Sequence, residues 1–325
     1  MSPGHDSDII ADILWGLWGQ LGISSVVKTD QDPLIDIEPL IVLTAWFINQ
    51  DLRLSEEVIR WCAGHAEWVS KTRLTSLYKG LDKHWQGRFA FLAAAVHRSN
   101  NTVKWPGFHG SATTVPSRGS VSDSVPEEPA AVFASSKGPP LPPHQDRLPF
   151  HRPGNLRFRL RALLGVGTRA DVLTHVIFSS MVKGCDFAYL GYSKPAITHA
   201  LSSLQRGGFV MQREEANAYA YALVNRESWE SLLQYQPVRF LNLRAIGNIL
   251  VTWRRRCEHQ DYSSRSARVT DLQAAKAIRT YATQLNPIRA NEEHPHWLTQ
   301  GNTDLDAISQ WIRGWSQQLP GPMGP

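Results

Sequence analysis

Cysteine is scarce in this sequence, and so are long apolar runs. Three widely spaced cysteines, Cys62, Cys185 and Cys257, occur in 325 residues. Three widely spaced cysteines are too few, and odd in number, for a disulfide framework, and they cannot form a four-cysteine zinc site. The longest strongly apolar stretch, residues 40–48, is interrupted by Thr44 and is far shorter than the roughly 20 residues that span a bilayer. We therefore expect neither disulfides nor membrane spans.

The first eight residues lack the features of an export signal. They contain Asp6 and Asp8 and no basic residue, whereas a secretory signal starts with basic residues before an apolar run. We therefore expect a cytoplasmic protein. Hydrophobic residues make up 42% of the chain, which is enough to form hydrophobic cores. Charged residues make up only 19%, which argues against disorder of the whole chain.

Motifs for catalysis and for metal binding are also missing. The sequence has no G-x-S-x-G elbow, no H-E-x-x-H and no paired-carboxylate motif. The glycine pair Gly165 and Gly167 lacks the spacing that builds a phosphate-binding loop. Cys62 and His65 have a C-x-x-H spacing, but no second pair of ligands follows nearby. We therefore predict a protein that is not an enzyme and that uses no cofactor or metal.

Charge changes sign along the chain. Residues 1–80 contain 11 acids and 6 bases, a balance of −5, while residues 152–213 contain 9 bases and 2 acids, a balance of +7. The basic segment is therefore the candidate for contact with a polyanion, and the acidic segment is not. A basic surface without such a partner is equally compatible with this distribution.

Half of the prolines lie in one stretch of the chain. Residues 106–153 contain 10 of the 20 prolines and few apolar residues, a composition typical of a flexible linker. We therefore predict a helical N-terminal domain (1–105), a Pro/Ser-rich flexible linker (106–153), a central domain (154–228) and a helical C-terminal extension (229–325).

Apolar residues recur at helical spacing on both sides of the linker. In the N-terminal domain this spacing predicts five helices, starting near residues 7, 37, 55, 71 and 86, with Ser55 as the cap of the third. In the C-terminal extension it predicts one helix over residues 240–253 and a last helix with a stripe formed by Ile308, Trp311, Ile312, Trp315 and Leu319.

Residues 168–224 carry the most specific pattern. Thr168, followed three residues later by Asp171, predicts a capped first helix. A short second helix fits residues 186–190, and a third, capped by Ser193, runs to Arg206. After Gly208 the apolar period changes from 3.6 to 2, which predicts a two-stranded hairpin. Three helices followed by such a hairpin is the order of a winged helix-turn-helix.

A resemblance to a known group supports this order. Residues 190–197, with Leu201, Leu204 and residues 208–210, resemble the L-G-[YV]-S-x-x-[AT]-[VI] pattern and its continuation in bacterial winged helix-turn-helix regulators. The resemblance covers about 55 of the 325 residues. It implies a mainly α protein that binds DNA and regulates transcription. Phe187 occupies a position that is usually small in such domains, which predicts a wider helix crossing or a short, shifted second helix.

The geometry of such domains assigns candidate DNA contacts. The third helix enters the major groove of double-stranded DNA, and its first turns meet base edges. The base-contact candidates on that helix are Ser193, Lys194, Thr198, His199 and Ser202. Basic residues before the first helix, at its start and on the hairpin are expected to contact phosphates: Arg157, Arg159, Arg161, Arg169 and Arg213.

A second hypothesis assigns the same module to protein docking. The third helix carries a single certain cation, Lys194, on its outer face. That is a low positive charge for a DNA-recognition helix. On this hypothesis the chain is a non-enzymatic scaffold or antitoxin-like component of a bacterial defence or toxin–antitoxin unit, which binds a protein partner through its winged helix and its N-terminal domain. A homodimer is compatible with both hypotheses.

Overall fold

The computed structural model of the protein describes residues 4–23, 33–48, 51–107, 142–144, 147–215, 218–234, 242–258 and 276. In these residues the protein is mainly helical, with one small antiparallel sheet. Most of the predicted linker and the predicted last helix lie outside the described residues. None of the helices in the described ranges is both long enough and apolar enough to cross a membrane.

The N-terminal part is helical, as predicted. Its helices are α1 (Gly4–Gly19), α2 (Ile37–Phe47), α3 (Leu52–Gly64), α4 (Lys71–Lys79) and α5 (Lys83–Ser99). Asp51, Ser70 and Asp82 cap α3, α4 and α5 by accepting a bond from the backbone N–H three residues later. Ser55 was predicted as the cap of α3, but it lies inside the helix, where its hydroxyl donates to the Ile48 carbonyl at 2.6 Å.

Helix α2 is the centre of the first core. All eleven of its residues are buried, because α1, α4 and α5 all pack against it. Trp18 and Trp61 meet edge to face at 5.3 Å between ring centroids. Their indole N–H groups donate to Thr44 Oγ1 and to the Leu21 carbonyl, so neither ring leaves a buried donor unsatisfied.

The central part has three longer helices and a sheet. Its elements are α6 (Leu156–Leu164), α7 (Thr168–Phe178), β1 (Val182–Lys183), α8 (Lys194–Arg206), β2 (Val210–Glu215) and β3 (Ala218–Leu223). The strands pair antiparallel in the order β1–β3–β2, with Val182 opposite Tyr221 and Val210 opposite Leu223. The helix and hairpin predicted on either side of Gly208 are confirmed. Strand β1 was not predicted.

In the central part, one detail agrees with a predicted alternative and one differs from prediction. The second helix is a 3₁₀ helix over Gly184–Leu190, with Phe187 fully buried, which agrees with the short, shifted alternative. Thr168 was predicted as the cap of α7, but Gly167 holds that position and Thr168 is the first helical residue. Two turns depend on glycine: Gly191 before α8 and Gly208 after it have φ values of 76° and 75°, where a side chain would be strained.

The packing of the described residues does not follow the linear order of the predicted parts. After α9 (Arg226–Leu233), helix α10 (Leu243–Glu258) returns to pack on α2. Phe158 of α6 belongs to the N-terminal core, and Leu34 of the N-terminal part belongs to the central core. Even the end of the predicted linker is packed, since the His144 N–H donates to the Arg60 carbonyl at 3.0 Å and Leu148 is buried.

Candidate functional site

The outer face of α8 holds most of the predicted base contacts together. Ser193, Lys194, Thr198 and His199 are exposed, while Ser202, one turn further on, is half-buried. This face is open because the apolar residues of the helix are buried against α7 and the sheet: Ile197, Ala200, Leu201 and Leu204. The first two turns of α8 therefore present polar side chains and the positively charged Lys194 to the solvent.

Two hydroxyl groups on this face already have local partners. Ser193 Oγ caps α8 by accepting from the Ala196 N–H at 3.4 Å. Thr198 Oγ1 donates to the Lys194 carbonyl at 3.0 Å. Ser193 therefore keeps its proton for an external acceptor, and Thr198 keeps its lone pairs and its methyl group.

Two of the predicted phosphate contacts flank α8. Arg169, the second residue of α7, is exposed and lines a cleft of about 370 Å³ together with His199 and the Gly165–Gly167 turn. Arg213 is exposed on β2, at the hairpin. Both side chains are therefore exposed, on the elements that come before and after α8 in the chain.

The other three predicted phosphate contacts are turned inward. Arg157 and Arg161 are 0% and 1% exposed, because these positions of α6 point at buried carboxylates of other helices. Arg159 is half-buried and donates to the Leu233 carbonyl of α9. The prediction that Arg157 and Arg161 contact DNA phosphates is therefore corrected: within this fold neither guanidinium can reach a ligand in solvent.

The two arginines belong to a buried ion cluster that sequence reasoning missed. It is formed by six residues from four segments of the chain: Arg73, Arg157, Arg161, Asp36, Glu38 and Asp171. Arg161 donates to Glu38 Oε1 at 2.7 Å and to Asp171 Oδ2 at 2.9 Å. Arg73 donates to both oxygens of Asp36 and to Glu38 Oε2 at 3.0 Å. We call this group the ion cluster.

Three cations and three carboxylates make the ion cluster formally neutral. Its side chains are at most 3% exposed, so each charge depends on its partners rather than on water. Burial alone would raise the pKa of the Asp171 carboxyl, but the charges of Arg161, Arg157 and Arg73 hold that pKa well below its usual range. Burial also opposes ionisation of Arg161, yet Asp171 and Glu38 raise the pKa of its guanidinium.

The ion cluster is connected to the turn that starts α8. Arg73 Nε donates to the Leu190 carbonyl at 2.6 Å. The Tyr192 hydroxyl donates to Asp171 Oδ2 at 2.8 Å and lies 3.2 Å from Ser70 Oγ. Burial and the Asp171 charge raise the pKa of Tyr192, so this hydroxyl keeps its proton. The entry to α8 is therefore held by side chains of both α4 and α7.

A histidine lies beside the ion cluster. His175 of α7 is 1% exposed, its Nδ1 lies 3.0 Å from the Tyr189 hydroxyl, and its ring packs 4.8 Å from that of Phe187. Burial, with a smaller effect of the Arg157 charge, lowers the pKa of His175 to about 3. This histidine is therefore neutral at physiological pH and serves as a packed hydrogen-bonding group.

Cys62 and His65, the C-x-x-H pair of the sequence, are both buried in the protein. Cys62 is fully buried, which raises the pKa of its thiol well above the usual value. His65 Nδ1 lies 3.1 Å from the Trp61 carbonyl, and its ring stacks on Trp61. Across the described ranges, no group of three or more His, Cys, Asp or Glu residues is placed to hold a metal ion.

Comparison with known proteins yields no relative: no family model, no curated protein and no solved structure matches the chain.

Proposed function

We propose that the protein is a DNA-binding transcriptional regulator whose central part is a winged helix-turn-helix. Support comes from the element order α7, β1, 3₁₀ helix, α8, β2, β3 and from the sheet order β1–β3–β2. The observation that carries the proposal is the exposed polar face at the start of α8, with a hairpin directly after the helix. A helix presented in this way enters the major groove of double-stranded DNA with its first turns against the base edges.

Each exposed residue takes a role that suits its chemistry. Lys194 donates to a guanine edge or to a phosphate, and the free lone pairs and methyl group of Thr198 suit an adenine amino group or a thymine methyl group. His199, the residue after Thr198 in α8, is also exposed and offers its ring nitrogens to a base edge. Ser202 is half-buried and is the weakest of the base-contact candidates. Arg169 and Arg213 contact phosphates and fix the position of the duplex.

The ion cluster supports this role indirectly. It joins α2, α4, α6 and α7 and holds the turn before α8 through Arg73 and Tyr192. A recognition helix held in this way is oriented before DNA arrives, so that less conformational entropy is lost on binding. We therefore assign Arg157 and Arg161 to the positioning of α8 and not to contact with phosphate.

Titration with DNA tests the proposal. The wild-type protein and the variants Lys194→Ala, Thr198→Ala and Arg169→Ala are titrated, at two salt concentrations, on a duplex from upstream of the coding sequence and on a scrambled duplex. Loss of a base contact should weaken binding to the upstream duplex alone by about 1–3 kcal/mol. Loss of Arg169 should weaken binding to both duplexes and reduce the salt slope by about one unit. Lys104→Ala, which removes an exposed lysine elsewhere, serves as the charge-matched control.

A second candidate function, protein docking, is favoured by one observation. The hairpin exposes apolar side chains, with Met211 at 38% and Tyr219 at 54%, and Leu232 of the following helix is 68% exposed. Tyrosine and methionine are enriched in protein–protein interfaces relative to the rest of a protein surface. If the wild type binds neither duplex at low salt, docking replaces DNA binding. Co-purification with the product of a neighbouring gene, lost in Tyr219→Ser, would then support docking.

A further inference from the structure

Helix α4 presents an exposed basic and hydroxyl-bearing face. Five side chains at spacings of one, three and four residues share that face: Lys71, Thr72, Thr75, Ser76 and Lys79. They line a shallow depression of about 520 Å³. All of them are exposed except Thr75, which is half-buried. The two lysines and three hydroxyl groups of this face offer hydrogen-bond donors and positive charge to an anionic partner.

This face is an exception within an acidic part of the chain. Residues 1–80 contain 11 acids and 6 bases, and three of those bases are Lys71, Arg73 and Lys79 of α4. No acid lies in α4 itself, and Arg73 is enclosed in the ion cluster. Among the residues that the structure describes, neither lysine forms an ion pair, so both charges are available to a ligand.

The face lies beside the start of α8. A β-carbon at Gly191 would lie 3.6 Å from Ser76 Oγ. The neighbours of Gly191 are held by α4 and its cap, since Leu190 accepts from Arg73 and the Tyr192 hydroxyl lies 3.2 Å from Ser70 Oγ. The three residues that α4 and its cap contact, 190–192, come directly before the cap of α8. A polyanion that reaches Lys194 therefore lies next to α4.

We propose that α4 is a second DNA-contacting helix, which binds the phosphate backbone of the same duplex that α8 reads; this inference rests on the proposed function. Lys71 and Lys79 are eight residues apart, which corresponds to about 12 Å along a helix. That spacing is close to the width of the major groove, about 12 Å, so the two lysines can meet phosphates on its two edges. Thr72 and Ser76, between the lysines, donate hydroxyl hydrogen bonds to phosphate oxygens.

The experiment compares variants on the upstream duplex and on the scrambled duplex. A Lys71→Ala/Lys79→Ala double variant should weaken binding to both duplexes alike, because phosphate contacts carry no sequence preference. Two lost phosphate contacts should reduce the salt slope by about two units. When the salt concentration rises from 50 to 200 mM, the affinity of each protein for DNA falls by some factor. That factor should be about ten times smaller for the double variant than for the wild type. Lys104→Ala should behave as the wild type, and a thermal melt of each variant checks its folding.

The outcomes separate this inference from the proposed function. If Lys194→Ala weakens binding to the upstream duplex and the double variant behaves as Lys104→Ala does, the role of α4 is overturned while DNA binding by α8 stands. If the wild type binds neither duplex at about 50 mM salt, both proposals fail together. A reduced salt slope in the double variant, with the preference for the upstream duplex retained, supports α4 as a backbone contact.

Discussion

Arg161 of α6 and Glu38 of α2 form a bidentate ion pair between residues 123 positions apart in the chain. Arg161 Nη1 donates to Glu38 Oε1 at 2.7 Å, and Nη2 donates to Oε2 at 3.0 Å. Neither side chain is exposed to solvent. The pair joins the N-terminal helices to the central part at a point where no water can replace either partner.

Removal of the Glu38 charge should be strongly destabilising. Glu38→Gln leaves Arg161 and Arg73 short of a carboxylate inside the protein, and a broken buried pair typically costs about 3–5 kcal/mol in the free energy of unfolding. Glu57→Gln is the matched control, since Glu57 and Arg60 form a partly exposed pair at 3.5 Å that should contribute about 0–1 kcal/mol. Urea unfolding measures both variants. Equal stability of the two would show that the ion cluster does not stabilise the fold.

The three arginines of the ion cluster should not be equally important. Every guanidinium nitrogen of Arg161 has a hydrogen-bond acceptor, whereas Arg157 uses only Nη1 and leaves Nε and Nη2 buried without a partner in the described structure. Arg157→Met should therefore destabilise the protein less than Arg161→Met, because it also removes two unsatisfied donors. Urea unfolding of both variants checks this order, and the reverse order would contradict it.

Stability should fall as the pH is lowered from about 6.5 towards 4. The folded pKa of His175, about 3, is below the ordinary histidine value, so in this window the unfolded chain takes up a proton that the folded protein does not. One proton bound only by the unfolded state changes the free energy of unfolding by about 1.4 kcal/mol per pH unit. His175→Gln should make the slope shallower, because it removes the group that only the unfolded chain protonates in this window. Thermal unfolding across this pH range measures the slope, and an equal slope in His175→Gln and wild type would contradict the prediction.

Cleavage between the N-terminal and central parts should not separate them. A recognition sequence for a specific protease, placed between residues 108 and 141, allows cutting within a Pro/Ser-rich stretch. The fragments should still elute together from a sizing column, because the ion cluster, Phe158 and α10 all connect the two parts. In Glu38→Gln the fragments should separate more readily. Separation of the wild-type fragments without denaturant would show that these contacts are too weak to hold the parts together.

Local features were predictable from the sequence, and long-range partners were not. The cap at Ser193, the apolar face of α8, the glycines after it and the hairpin depend on residues close together in the chain, and the structure confirms them. Arginines 157 and 161 were interpreted as surface charges, because their partners Asp36 and Glu38 are more than 100 positions away. One clue was present: Asp36 and Glu38 lie at the edge of an apolar stretch, where a buried acid needs a cation.

The close packing of α10 against α2 has a consequence for folding during synthesis on the ribosome. At Gly247 a β-carbon would lie 2.5 Å from the Trp46 ring, so this glycine lets the two helices approach. Because α10 ends at Glu258, the N-terminal core remains incomplete until the chain up to this residue has left the ribosome. Until then the surface of α2 that α10 will cover is open to a chaperone or to another nascent chain. A premature stop just before α10 should therefore yield a protein that aggregates rather than a smaller DNA-binding one.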